Sequence, residues 1–299
     1  MKIISVRVSG DTWLNQTQVE EQLKDIQDND WVCFDTGAEG ISLKHSGILD
    51  FINQWAENTG IPADYIVINN PNTYEKTIYK NICSSTVANH FFPMSGHYQT
   101  IVPQIDSSVT KFGFFVGRHT TMRNQMINDV VEHYRKHFIL SIMKSRFNTN
   151  PWTDYARDIP SIDDTFVSDQ YTGKIDTNLS LLTHYTKFQI ELVAETMCCG
   201  ETFFPTEKTI RPLLAGRPFL IFGPVNFLTN LQKLGFQTYD LCWSESYDRL
   251  EGNERWTAIK KNIDNIIDYY DVDLAKKIAQ HNQEHLKQWH RLTPPKNIS

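Results

Sequence analysis

At 299 residues, with 40% hydrophobic and 21% charged side chains, the chain has the composition of an ordinary globular protein and the length for one large domain or two of usual size. Its formal net charge of -6 gives no attraction of the whole molecule for polyanions, so any nucleic-acid contact has to rest on a local basic patch. The five cysteines, Cys33, Cys83, Cys198, Cys199 and Cys242, form no C-x-x-C pair, which removes the usual zinc and dithiol patterns and fits a reduced, cytoplasmic setting.

In chain order, the opening MKIISVRVSGDTW carries a short strand-like run and not the apolar core of a signal peptide. DWVCFD and DYIVIN are further strands, and between them ISLKHSGILDFINQWAENTG spaces its apolar residues as a helix that ends in glycine. Strand, helix, strand predicts a parallel sheet. HYQTIVPQIDSS lacks periodicity, and the pattern restarts with the strand KFGFFVGR and the helix MRNQMINDVVEHYRKHF, which places a boundary between residues 108 and 109. Residues 147–178 are rich in Asp, Asn, Pro and Gly and are expected to form a long loop or small insertion. KFQIELVAET and PFLIFG return as strands, VNFLTNLQKLGF as a helix, and DLAKKIAQHNQEHLKQWHRL as a polar helix with an apolar stripe. No segment approaches the roughly 20 apolar residues of a membrane span, so no membrane partner is expected. The expected fold is α/β, with two Rossmann-like domains, 1–108 and 109–275, facing a cleft, and residues 276–299 packing back on the body as a C-terminal helix. Such folds bind ligands outside the carboxyl ends of their parallel strands.

The stretch FFPTEKTIRPLLAGRPFLIFG, residues 203–223, sets a glutamate and a lysine side by side where a loop turns into a helix. Thr206 is placed to cap that helix, and Glu207 is a first-turn carboxylate that the macrodipole favours. Lys208 opposes the same dipole. A lysine there makes sense if it meets phosphate oxygens gathered at the helix N-terminus.

On these residues the chain resembles the α1,3-fucosyltransferases and their relatives. VAETMCCGETFFPTEKTIRPLLAGRPFLIFGP is similar to their donor-binding segment: a strand ending in glutamate, an aromatic-x-T-E-K loop, a helix, and an apolar strand closing in G-x-P. KFGFFVGRHTTMRNQMINDVV resembles their strand, polar loop and R-N dipeptide opening the first helix of the C-terminal domain. The likeness spans about residues 111–230. It implies a GT-B glycosyltransferase that holds a UDP- or GDP-linked sugar as donor substrate, without a metal or other cofactor. Carried over, Arg123 and Lys208 pair with the diphosphate, and Glu207 accepts from a ribose or sugar hydroxyl. Glu195 meets the nucleotide or supports those that do. Phe204 stands where the family often has tyrosine, so stacking persists while a hydroxyl contact is lost. The acceptor is a saccharide, as in the fucosyltransferases, or a hydroxymethylated pyrimidine in DNA, as in phage enzymes that glycosylate their own genomes. The chain also resembles compact phage-encoded proteins, which would place it in a host cytoplasm.

Other residues carry two readings each. Arg118 is a further phosphate ligand or a surface arginine. Arg211 and Arg217 flank a helix, where an arginine near the C-terminus complements the dipole. An inverting transfer needs a base, and FDTGAEGISLKHSG offers Glu39 first, Asp35 second and His45 third, against turn chemistry, capping and packing. The D-V-D of DYYDVD is a manganese triad in metal-dependent transferases of another fold, or a helix cap, and the cap is the expectation. CWSESYDRLEGNERW lines the donor site or forms a solvated loop. RKHFILSIMKSR, residues 135–146, is a basic patch, read as a solvated helix end. A nucleotide-sugar-binding protein without a base is the competing class.

Overall fold

The computed structural model describes residues 1–9, 11–27, 29–36, 40–72, 75–81, 110–117, 119–142, 183–200 and 202–292. The long loop of 147–178 and the 108/109 boundary lie outside them.

Two four-stranded parallel sheets carry the fold. The first pairs β1 (Lys2–Ser5), β4 (Val32–Asp35), β5 (Ile66–Asn69) and β6 (Lys80–Asn81) in that spatial order. Between β1 and β4 a two-residue hairpin, β2 (Val8–Ser9) with β3 (Thr12–Trp13), leads into α1 (Gln16–Leu23). Neither the hairpin nor α1 is signalled by the sequence, because strands of two residues and a helix of eight hold too little periodicity. The helix expected over 41–60 starts only at Ile48, as α2 (Ile48–Thr59). Gly47 at φ 77 ends a turn before it, and Gly60 at φ 71 closes it.

The second sheet runs β10 (Phe219–Phe222), β9 (Phe188–Ala194), β7 (Thr110–Val116), β8 (Phe138–Ile142). All its pairs are parallel, as in the register Phe112 opposite Ile190 and Phe219 opposite Glu191. Every residue of β9 is buried, as expected of a central parallel strand covered on both faces. β8 corrects the basic-patch reading: Phe138–Ile142 is an apolar strand, and only the flanking charges had suggested a solvated helix end. Residues 143–146 lie outside the described set. The helix expected over 122–138 is α3 (Thr121–Asp129), which continues as a π turn and a 3-10 turn before β8.

Helices α4 (Glu207–Leu214), α5 (Phe227–Lys233), α6 (Gly252–Asp268) and α7 (Val272–Leu292) complete this half. The first sheet gathers Ile4, Val32, Phe34, Ile52, Ile66 and Ile68 into one core, and the second gathers residues 112–286 into another. Each fully buried Ile, Leu or Phe contributes roughly 1.5–3 kcal/mol. The final helix packs on the second core, with Gln283 Nε2 donating to Leu214 O at 2.6 Å and Asn282 Nδ2 to Gln237 O at 2.8 Å. Among the described residues no helix is long and apolar enough to cross a membrane.

Strand order fixes where a ligand can enter. From β7 the chain passes to β8 on one side and later to β9 on the other, so the strand order reverses between β7 and β9. At such a switch point the loops leaving the two strands part and open a crevice at their carboxyl ends.

Candidate functional site

The carboxyl end of β9, beside β7 at the switch point, is organised by Glu195, which follows the last residue of that strand. Its carboxylate is fully buried, and a buried carboxylate needs donors. It has four: the backbone N–H of Thr196 and of Thr206 at 3.0 Å each, the Thr206 hydroxyl at 2.6 Å, and the Thr209 hydroxyl. The strand end therefore grips the first turn of α4. Thr206 is the N-cap, as its position predicts, its Oγ1 accepting from the Lys208 N–H at 3.3 Å.

Lys208 folds back over this junction. Its Nζ donates to Thr196 Oγ1 at 3.0 Å and to Thr206 Oγ1 at 3.4 Å, so the ammonium stands at the carboxyl end of β9 beside the N-terminus of α4. Both of those partners are neutral hydroxyls. Glu207 opens α4, and its side chain lies outside the described residues.

Arg123 comes from the opposite wall. It sits in the first turn of α3, its N–H donating to the N-cap Thr120 hydroxyl. Its guanidinium, 2% exposed, donates through Nη2 to Ala194 O at 2.8 Å and Glu195 O at 2.6 Å. The arginine thus joins the start of α3 to the end of β9. Arg118 lies outside the described residues. Arg211 and Arg217 are structural: Arg211 Nη2 pairs with the buried Glu191 carboxylate at 3.1 Å, and Arg217 donates Nε and Nη2 to Tyr185 O. The dipole reading of these two gives way to buried partners.

The loop from Glu195 to Thr206 also faces the first half. The Asp11 carboxylate, in the β2–β3 turn, accepts from the Cys198 N–H at 3.0 Å and the Cys199 N–H at 3.4 Å. Thr202 Oγ1 donates to Gly40 O at 2.6 Å. Gly200, at φ +69, lies so close to Ser42 that an added Cβ would stand 2.3 Å from its hydroxyl. A Cβ on Gly40 would come 3.0 Å from the Phe204 ring, so that ring packs against the first half. Beneath Gly200, Ser42 Oγ donates to Glu75, which also accepts the Leu43 N–H at 2.6 Å. Burial raises Asp11 from its ordinary value, with the Cys198 and Cys199 amides, His45 and the Cys199 thiol opposing. It also raises the Cys198 thiol and takes Cys199 up to about 12, so both stay protonated and neither is a nucleophile at neutral pH.

Of the residues expected to act as base, Glu39 lies outside the described set. Asp35 ends β4 with Oδ1 accepting from Asn69 Nδ2 at 3.0 Å. His45 is exposed in the turn before α2, its N–H donating to Ser42 Oγ, and is not packed inside a helix. Asp11 and Glu75 were missed. The turn S-G-D-T explains Asp11 by local chemistry alone, and only the fold brings it to residues 187 positions away.

Asp271 of the D-V-D accepts the Leu274 N–H at 2.9 Å and caps α7. Among the described residues no three His, Cys, Asp or Glu side chains form a group that could hold a metal. In CWSESYDRLEGNERW, Trp243, Tyr247 and Trp256 belong to the second core and do not form a solvated loop. Asp248 there caps α5 through the Leu228 and Thr229 N–H groups and pairs with the buried Arg255.

The arrangement offers a cation and a helix N-terminus at a strand switch point, with a carboxylate from the other half held on the loop after β9. It suits an anionic ligand. No protein-family model matches the chain, and a search of the curated proteins finds no match either.

Proposed function

We propose that the chain is a glycosyltransferase of GT-B type, which binds a UDP- or GDP-linked sugar in the β7/β9 crevice and moves the sugar to an acceptor hydroxyl with inversion. The observation that carries the reading is Lys208. Its ammonium is drawn onto two threonine hydroxyls at the end of β9, where the topology opens a ligand crevice and the first turn of α4 presents backbone N–H groups.

In this reading the chemistry follows charge. As the bond from the anomeric carbon to the diphosphate breaks, negative charge grows on the leaving oxygen, and Lys208 with the α4 amides stabilises it. Thr196 and Thr206, whose hydroxyls accept from Nζ, yield it to the phosphate. Glu195 supports from below by holding Thr196, Thr206 and Thr209, and Arg123 keeps the strand end and α3 in register. Glu207 serves a ribose or sugar hydroxyl and Phe204 packs against the donor, as the motif implies. The acceptor is a saccharide or a hydroxymethylated pyrimidine of DNA.

The test is donor binding and hydrolysis by the native chain. A UDP- or GDP-sugar at about 100 times its Kd stabilises the fold by about 2.7 kcal/mol, which is read as a raised Tm. Slow release of the nucleoside diphosphate, lost in Lys208→Ala, supports the enzyme. A raised Tm with no release indicates a nucleotide-sugar-binding protein, and no rise with any donor overturns the reading.

A further inference from the structure

Asp11 has a geometry that hairpin stability does not require. It lies in the turn joining β2 to β3, past the carboxyl end of β1, and its carboxylate crosses to the other half of the molecule. There Oδ2 accepts the Cys198 N–H at 3.0 Å and Oδ1 the Cys199 N–H at 3.4 Å. A few bonds link it to the crevice: Cys198 Sγ donates to Glu195 O at 2.9 Å, and Arg123 Nη2 donates to the same carbonyl. With the Cys199 thiol, the two amides make three donors to a carboxylate that accepts about four hydrogen bonds, which leaves room for one more.

We infer that Asp11 is the general base that activates the acceptor hydroxyl. The inference rests on the glycosyl-transfer reading. In the step, the acceptor O–H proton passes to an Asp11 oxygen and the acceptor oxygen's electron pair forms the new bond to the anomeric carbon. The bond from that carbon to the diphosphate breaks, and its pair leaves with the nucleoside diphosphate. Asp11 is then a neutral acid that returns its proton to solvent. The amides that hold it come from the donor-binding half, so the base is aligned only when the halves are together. Burial at this junction makes the carboxylate more basic, which suits proton removal.

The groups facing Asp11 are His45 from the turn before α2 and the Cys198 and Cys199 thiols from the loop after β9, with Glu251 beside Cys199. The thiols stay protonated, and His45 when charged lowers the Asp11 pKa. The acid limb of the rate is therefore set by Asp11 with His45 as its neighbour.

The full-length chain is tested with UDP-glucose, UDP-N-acetylglucosamine, GDP-mannose and GDP-fucose, water serving as acceptor and UDP or GDP release as readout. Asp11→Asn is expected to lower kcat on the order of 100-fold or more while the donor still raises its Tm as in the native chain. Formate added to Asp11→Ala restores part of the rate, which a merely structural role does not allow, and the acid limb disappears from the residual rate. Asp11→Asn within threefold of native kcat overturns the assignment alone, as does a loss confined to Glu39→Gln. A loss in Asp11→Ala that formate leaves unchanged also overturns it. If the native chain neither binds nor hydrolyses any of the four donors, the glycosyl-transfer reading falls and takes the assignment with it.

Discussion

Glu195 and Lys208 are neighbours with opposite duties, and substitution separates them. Glu195→Ala strips four donors of their acceptor in a fully buried place and is expected to destabilise the fold by about 2–4 kcal/mol, read from urea unfolding. Lys208→Ala removes a partly exposed ammonium that donates to the Thr196 and Thr206 hydroxyls, and is expected to change stability by less than the Glu195 substitution does while abolishing turnover. Glu245 gives a prediction in pH. Burial holds its pKa up at about 7, against the ordinary 4.5, so between those values the folded state keeps a proton that the unfolded chain has released. Its contribution to stability is therefore present below pH 4.5 and lost as pH rises to 7, a change on the order of 2 kcal/mol. Glu245→Gln should flatten the Tm over that window relative to the native chain. A steeper fall in the variant contradicts the assignment. At this scale the Thr206 cap was legible because a threonine just ahead of a helix start follows the capping rule. Asp11 was not, since an aspartate in a tight turn is accounted for by the turn alone.

Among the elements, the loop between β9 and α4 carries the most constraint. Gly200 holds φ +69 against Ser42, so Gly200→Ala meets both backbone strain and a steric clash. A loss of roughly 1–3 kcal/mol is expected in urea unfolding, with donor hydrolysis reduced as well, because the same loop carries Thr196 and Thr206. A neutral outcome would mean that the loop does not couple the halves. The strands of this half were read correctly where an apolar run stood alone, as in KFGFFV and PFLIFG. β8 was missed because its five residues lie between clustered charges, and charge was taken as the signal. The start of α2 was set too early because Ile41 and Leu43 are buried ahead of it and Ile41 stands seven residues before Ile48, a helical spacing. Apolar spacing reports burial, and a turn that packs inward imitates a helix.

For the molecule as a whole, the alternation of strands and helices predicted two parallel sheets, and two four-stranded parallel sheets are present. Their strand order was not legible, because pairing is set by contacts between distant segments. The reversal at β7/β9, which gives the crevice its place, belongs to that hidden part. Among the described residues the apolar core falls into two separate clusters, so unfolding followed by calorimetry is expected to depart from a single two-state transition. A bound nucleotide sugar then raises the transition of the β7–β10 core. The most direct measurement is a crystal structure with UDP or GDP bound. The diphosphate is predicted at the carboxyl ends of β7 and β9, with an oxygen within hydrogen-bonding distance of Lys208 Nζ and the first turn of α4. A diphosphate bound elsewhere, with Lys208 still on Thr196 and Thr206, would contradict the account.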